Sequence, residues 1–146
     1  MTVALSGKEI ASRVEEVVPD SIVESGVESI LVKSERLLDV LSFLKDAPGL
    51  DFDYLTYVTA VDYLDYFEVV YQLASFKHNH SLVVKTRLYE RENPTLPSVT
   101  GLWRGADFQE REIYDLMGIK FSGHPNLRRI FLWEGFEGYP LRKDYL

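Results

Sequence analysis

The chain has 146 residues, a formal net charge of −7 and no cysteine. Its length and its apolar content of 46% are typical of one folded domain with a sizeable core, so we expect residues 1–146 to form a single domain. The acidic charge argues against nucleic acid as the ligand, and the absence of cysteine excludes disulfides, thiol nucleophiles and cysteine-ligated zinc or iron–sulfur sites within this chain.

The N-terminal segment predicts an amphipathic helix. Ser6 and Glu9 have the spacing of a capping box, and apolar residues follow at helical intervals until Pro19. These features place the first helix at about residues 7–18. The segment lacks a basic region that leads into an apolar run, so we expect no secretory signal, and no stretch is apolar over the roughly 18–20 residues that cross a bilayer.

A strand and a second helix are predicted next. Residues 27–33 are short and rich in β-branched and apolar side chains, which favours a strand. Ser34 is then predicted to cap a helix whose leucines share one face. Pro48 and Gly49 end that helix.

Alternating apolar and polar residues then predict three strands, at about 52–61, 66–76 and 81–88. Their short polar connections favour antiparallel pairing, with one sheet face under the helices and the other partly exposed. A proline-containing crossover follows from residue 90. We therefore expect an α+β fold with a mostly antiparallel sheet of about four strands, two N-terminal helices, a third helix and an extended irregular C-terminal tail. Residues 1–89 would form the body, and residues 90–146 the crossover, third helix and docking tail.

The third helix is predicted to begin at Asp107, which would form a capping box with Glu110, and to end at Gly118. The tail beyond it is punctuated by glycines and prolines. Residues 101–146 hold 9 of the 19 aromatic residues of the chain, beside several arginines. Such rings are either hot spots of a binding surface or a second small core, and different residues can serve each purpose.

The carboxylates of the third helix allow two interpretations. Glu112 and Asp115 share a helix face and could act as an acid–base pair or as metal ligands. Alternatively they form ion pairs, either within the helix with Arg111 or with Arg128 and Arg129 further along. We favour the ion pairs, because no third metal ligand is placed nearby.

The three histidines are weak candidates for chemistry. His78 and His80 flank a predicted turn, where we expect solvated side chains, and a zinc site would need two further ligands. His124 in Gly-His-Pro is either a proton carrier or a hydrogen-bonded anchor. We favour the anchor, since no nucleophile or cofactor stands beside it in the sequence, and no phosphate-binding glycine loop is present.

Three blocks of the C-terminal part resemble a known family. They are residues 110–119 (EREIYDLMGI), residues 121–130 (FSGHPNLRRI) and residues 140–144 (PLRKD). Together with the crossover, and in the same order and spacing, they are similar to the 30-kDa subunit family of respiratory complex I, which includes the C-type subunit of NADH-quinone oxidoreductase and the J-like chains of NDH complexes. Phe108 and Tyr139 stand where that family commonly has tryptophan and histidine, so each position keeps a ring.

The resemblance implies a cofactor-free peripheral-arm subunit of a membrane-associated NADH:quinone oxidoreductase. Such a subunit supports assembly of the quinone-reducing module for electron transfer coupled to ion translocation, and alone it is not expected to be active. The implied partners are the large quinone-module subunit (49-kDa, D-type) and the adjacent iron–sulfur subunit (B-type). Iron–sulfur clusters, FMN and quinone would lie in partner subunits. These would hold the chain on the cytoplasmic face of the cell membrane, without a membrane span of its own.

Two alternatives remain open. The chain could serve a related complex fed by reduced coenzyme F420 (F420H2), ferredoxin or hydrogen, or, less favoured, it could be a stand-alone small enzyme that uses His124. For the leading interpretation, the resemblance implies no catalytic, cofactor-binding or metal residues. It implies assembly and docking residues that fix the helix, fix the turn, and face partners or pair internally: Glu110, Arg111, Glu112, Asp115, His124, Pro125, Arg128, Arg129, Pro140, Leu141, Arg142, Lys143 and Asp144.

Overall fold

A computed structural model describes residues 2–133 and 136–145. Within these residues the helices are α1 (Gly7–Val17), α2 (Leu37–Asp46) and α3 (Ala106–Met117), with a short 3₁₀ helix at Ser34–Arg36. The strands are β1 (Val3–Ala4), β2 (Ile22–Ser25), β3 (Ser29–Val32), β4 (Tyr54–Asp62), β5 (Phe67–Ser75), β6 (His80–Leu88), β7 (Thr95–Pro97) and β8 (Lys120–Ser122).

The main sheet has the strand order β2-β3-β6-β5-β4, and β1 pairs with the start of β6. Strands β4, β5 and β6 form the predicted antiparallel meander, whereas β1 and β3 lie parallel to β6. The prediction of an α+β fold with a mostly antiparallel sheet is confirmed. The sheet has more strands than the four expected, because β1 and β2 are too short to give a periodic pattern.

The local sequence predicts the N-cap of the first helix correctly but not that of the second. The Ser6 hydroxyl accepts a hydrogen bond from the backbone N–H of Glu9 at 3.4 Å, as predicted. The prediction that Ser34 caps the second helix is wrong. Ser34 opens the 3₁₀ helix, and α2 begins at Leu37 with no side-chain cap. Leu37 is fully buried, so packing sets that helix start.

The predicted capping box of α3 is also wrong. Gly105 occupies the N-cap, and Asp107 lies within the first turn. The carboxylate of Glu110 is buried against the crossover instead of reaching back to the cap. Tertiary hydrogen bonds therefore outcompete the local one. The predicted end is confirmed, since Gly118 follows the helix in the left-handed region with φ 76°.

The core lies between the inner face of the sheet and the helices, and it continues beneath the crossover and α3. The indole N–H of Trp103 donates to the backbone oxygen of Phe52 at 3.1 Å, which ties the crossover to the body. Helix α3 packs along β4, where the side-chain oxygen of Gln109 accepts the backbone N–H of Val58 at 2.6 Å. This contact fixes α3, and with it the start of the tail, on the outermost strand.

Candidate functional site

A single carboxylate at the end of α3 organises the first part of the tail. Asp115 is fully buried, and its Oδ2 accepts the backbone N–H groups of Ile130, Phe131 and Leu132 at 3.0, 2.7 and 3.3 Å. Its Oδ1 lies 3.5 Å from Nε of Arg129. Because charged acceptors make the stronger hydrogen bonds, this carboxylate holds three consecutive tail residues in one conformation.

Arg129 of the tail and Arg111 of α3 form bonds within the chain, whereas the Arg128 side chain is exposed. Arg129 donates from Nη2 to the carbonyl of Gly138 at 2.8 Å, and its guanidinium lies over the rings of Phe136 and Tyr139. Arg111 donates to the backbone oxygen of Arg128 at 3.3 Å. Asp115 is thus paired with Arg129, one of the two ion-pair arrangements left open by the sequence.

The end of the tail is fastened to the body by a group of side chains that we call the latch: Asp62, Arg91, Arg142, Lys143 and Asp144. Arg142 donates from Nε to the Met117 carbonyl at 2.6 Å and from Nη1 to the Arg91 carbonyl at 3.0 Å. It also lies over the Tyr139 ring, 5.0 Å from the centroid. The last predicted block therefore closes on the C-terminal end of α3.

Asp62 is the centre of the latch. Its side chain is fully buried and receives both terminal nitrogens of Arg91, at 2.8 and 2.9 Å, and the backbone N–H groups of Leu64 and Lys143. The bidentate bond from Arg91 holds the pKa of the Asp62 carboxyl well below its usual value, and it raises the pKa of Arg91. Arg91 also reaches Asp144 at 3.2 Å.

Sequence reasoning missed both Asp62 and Arg91. Asp62 stood in a polar connection and Arg91 in the crossover, 29 residues apart. Neither segment has a periodic pattern or a motif that joins the two residues. The pairing of β4, β5 and β6 brings them together.

Glu110 joins α3 to the crossover. Its carboxylate accepts the Ser98 hydroxyl at 2.6 Å and the backbone N–H of Val99 at 2.9 Å, and it is fully buried. Burial raises the pKa of Glu110 despite these bonds. Burial, with a smaller contribution from the Glu110 charge, also raises the pKa of the Tyr71 hydroxyl.

The imidazole of His124 is enclosed and hydrogen-bonded on both sides. Its Nδ1 accepts the backbone N–H of Asn126 at 2.9 Å, so the proton resides on Nε2, which donates to the Asp107 carbonyl at 3.2 Å. Nε2 also lies 3.0 Å from the Asp107 carboxylate, and the side chain has no exposed surface. This geometry fixes the turn against α3 and offers no open nitrogen to a substrate.

The expectation of solvated turn histidines is wrong for His80, which begins β6 and is only 7% exposed. Its Nε2 contacts the Leu50 carbonyl at 2.7 Å, and its ring packs on Phe52. His78 pairs with Asp51 at 2.7 Å. Within the described ranges, no group of three or more histidine, aspartate or glutamate side chains is placed to hold a metal ion.

The aromatic residues of the C-terminal part divide into buried and exposed rings. Trp103 and Phe121 belong to the core. Other rings are exposed, and we call three of them the ring surface: Phe108, Phe131 and Trp133. Trp133 is 70% exposed and Phe131 is 59% exposed, and Phe131 meets Phe108 edge-on at 6.2 Å.

The predicted docking residues divide into two groups by exposure. The exposed ones are Glu112, Pro125, Arg128, Leu141, Lys143 and Asp144. The buried and half-buried ones are Glu110, Arg111, Asp115, His124, Arg129, Pro140 and Arg142.

Across residues 2–133 and 136–145, the helices are too short or too polar to cross a bilayer.

Comparison with known proteins agrees with the sequence blocks. Residues 30–146 match the family model described as the respiratory-chain NADH dehydrogenase 30 Kd subunit. The chain is 45% identical over 148 aligned positions to the C subunit of NADH-quinone oxidoreductase from Roseiflexus sp. (strain RS-1), with 97% of this chain and 84% of that protein covered. It is 46% identical over 123 positions to the NADH-quinone oxidoreductase C 2 subunit of Rhizobium meliloti (strain 1021), covering 82% and 66%.

The fold also matches a chain in a solved structure of the membrane-bound sulfane sulfur reductase, an archaeal respiratory membrane complex. The TM-score is 0.76 at 25% identity, with 95% of this chain and 85% of that chain covered. The sequence blocks, the family match over most of the chain and the shared fold lead to one assignment. The chain belongs to the 30-kDa subunit family of respiratory-chain NADH dehydrogenase.

Proposed function

We propose that this chain is a cofactor-free, non-catalytic peripheral-arm subunit of a membrane-associated NADH:quinone oxidoreductase, and that residues 1–146 act as one unit in assembly of the quinone-reducing module. Its partners are the large 49-kDa (D-type) subunit and the adjacent iron–sulfur (B-type) subunit. They carry the redox groups and hold the chain on the cytoplasmic face of the membrane.

The observation that carries this proposal is the Asp115 carboxylate with its three backbone N–H donors. It holds the backbone of Phe131 rigid while leaving the ring exposed. A surface that is ordered before binding loses less conformational entropy when a partner arrives. Exposed rings on such a scaffold are the residue types that dominate protein interfaces.

The predicted docking residues then have two roles: one group stabilises the structure of this chain, and the other contacts partners. The buried group, including Glu110 and His124, holds α3, the turn and the tail in register. The exposed group, including Arg128 and Lys143, is accessible to a partner, which supports a docking role. Arg142 belongs to the first kind, because its donors are directed at carbonyls of this chain.

Co-purification of the tagged chain with its partners tests the proposal. Trp133→Ala and Phe131→Ala should each weaken association by at least about 1 kcal/mol, or roughly fivefold, because each removes a hot-spot ring. Phe76→Ala is the matched control, since this ring is 72% exposed on the β5–β6 turn and outside the ring surface. Association that is unchanged by both tail variants, or a wild-type chain recovered without partner subunits, would count against the proposal.

Two relatives that are 45% and 46% identical to this chain are named as subunits of NADH-quinone oxidoreductase, which supports NADH as the electron donor. Oxidation assays on the purified complex decide the donor. NADH should support quinone reduction, whereas a complex that accepts electrons only from reduced F420, ferredoxin or hydrogen would place the chain in one of the related enzymes.

A further inference from the structure

Three tyrosine rings form a row at the end of the sheet where the β4–β5 hairpin turns. Tyr63 lies 5.3 Å from Tyr66, and Tyr66 lies 5.5 Å from Tyr89, measured between ring centroids. Tyr63 is 46% exposed and Tyr89 is 67% exposed, while Tyr66 is half-buried between them. We call these three residues the tyrosine row. None of them belongs to the ring surface that is proposed to contact a partner subunit.

The hairpin that carries the row is held in one conformation. Asp62, buried at its base, accepts the backbone N–H of Leu64 at 2.8 Å. Leu64 adopts φ 71°, a left-handed conformation that is uncommon outside glycine, asparagine and aspartate, and its side chain is exposed. The buried carboxylate therefore fixes a turn that presents apolar and aromatic groups to the outside.

One ring of the row already holds an arginine of this chain. The guanidinium of Arg87 lies 4.5 Å from the centroid of Tyr66, and its Nε donates to Glu68 at 3.1 Å. The arrangement shows the chemistry that the neighbouring rings offer, because a guanidinium or ammonium group over a tyrosine face is attracted by the ring quadrupole. Tyr63 and Tyr89 have exposed ring surface at which the same contact can form.

The charges around the row favour a positive ligand. Two exposed carboxylates stand within the row or beside it, namely Asp65 and Glu90. Arg87 is paired with Glu68, and Arg91 with both Asp62 and Asp144, whereas the side chain of Lys143 is exposed. Asp65 and Glu90 thus supply negative charge beside Tyr63 and Tyr89, and complementary charge accelerates and orients association.

The row continues into a shallow groove. Tyr89 and Arg87 line part of a cleft of about 260 Å³, together with Val23, Leu31 and Lys33, and that lysine is paired with Asp20. The accessible lining of this cleft is mainly apolar. A lysine or arginine bound over Tyr89 has a long hydrocarbon stem, and this cleft offers apolar surface against which such a stem can pack.

We propose that the tyrosine row binds a short lysine- or arginine-bearing segment of a partner polypeptide in the assembled complex. Its cationic heads lie over Tyr63 and Tyr89, and Asp65 and Glu90 neutralise them. This surface is a second contact of the chain, separate from the ring surface. An acidic or purely apolar segment does not fit, because the exposed carboxylates would repel the first and lose solvation against the second.

A photo-cross-linking amino acid in place of the exposed Leu64 of the tagged chain tests this in the intact complex and leaves all three tyrosines in place. The expected result is a cross-link to one partner subunit, at a peptide that mass spectrometry shows to contain lysine or arginine at or beside the attachment point. A cross-link to lipid, to a second copy of this chain, or to a peptide without basic residues overturns the proposal. So does the absence of any cross-link from a complex that has assembled.

Charge reversal supplies the second measurement. Asp65→Lys with Glu90→Lys should lower the cross-link yield by about tenfold or more, because like charges across an interface repel. Glu16→Lys with Asp39→Lys is the matched control, since both residues are exposed on α1 and α2. Equal yields from the two double variants refute the proposal. Loss of the whole complex in wild type would instead refute the proposed function, so the two failures are distinguishable.

Discussion

Replacing Asp62 by Asn tests whether the latch holds the tail to the body. In the wild-type chain this buried carboxylate receives two bonds from Arg91 and one from the backbone N–H of Lys143. Asparagine keeps the shape of the side chain but removes the charge, and its NH₂ group would face a guanidinium donor. Removal of one member of a fully buried ion pair costs about 3–5 kcal/mol. The loss here should be about 3 kcal/mol or less, because Arg91 is 24% exposed and keeps its contact with Asp144.

The pH dependence of this loss has a definite sign. The pKa of Asp62 is lower in the folded chain than in the unfolded chain, where it is about 4. The contribution of Asp62 to the free energy of unfolding is therefore fully present above the unfolded pKa, and it is lost as the pH falls towards the folded pKa. The difference in unfolding free energy between the wild type and Asp62→Asn should therefore be constant near neutral pH. It should shrink below about pH 4.

Urea unfolding followed by circular dichroism at several pH values measures this difference. Asp65→Asn, an exposed carboxylate on the same hairpin, is the control and should change the unfolding free energy by less than about 0.5 kcal/mol. A double-mutant cycle with Arg91→Ala isolates the pair, since the double variant should lose less than the sum of the single losses. Additive losses, or an Asp62→Asn difference that does not narrow in acid, would refute the reasoning.

Two further predictions concern α3. Gly118→Ala should destabilise the chain by more than Gly49→Ala, because both glycines have positive φ but a Cβ at Gly118 would lie 2.6 Å from the Tyr139 ring, whereas one at Gly49 meets nothing within 4 Å. Urea unfolding should show a loss of about 1–2 kcal/mol for Gly49→Ala, which is the cost of a left-handed conformation in a residue with a Cβ. Equal losses for Gly49→Ala and Gly118→Ala would mean that the tail is not packed against Gly118. Burial raises the pKa of Glu110, so the wild type should lose stability as the pH rises from about 4 through the folded value. Glu110→Gln should flatten this slope in the same titration, and an unchanged slope would assign it to other groups.

The fold was most predictable where its determinants are local. Alternation in residues 52–88 placed β4, β5 and β6 within about two residues of their observed bounds, because one face of each strand is buried. Gly118 marked the end of α3 because the left-handed conformation strongly favours glycine. Such features depend on residues that are neighbours in the sequence.

The features that sequence reasoning missed depend on distant residues. Glu110 has the spacing of a capping box, yet its carboxylate turns inward because the Ser98 hydroxyl and the Val99 backbone N–H donate hydrogen bonds to it. The parallel pairing of β3 with β6 joins segments about 54 residues apart, and no local pattern records it. The blocks of the tail were recognisable from the sequence, but which arginine pairs with Asp115 depended on the path of the tail.

The contact between Gln109 and Val58 has a consequence for the chain before it meets its partners. Strand β4 is the last strand of the main sheet on its side, and a free N–H there would be a template on which another chain could add a strand. Gln109 occupies that donor at 2.6 Å, and α3 lies alongside. A newly synthesised chain that waits for assembly is thereby guarded against edge-to-edge aggregation by the same helix that orders its tail.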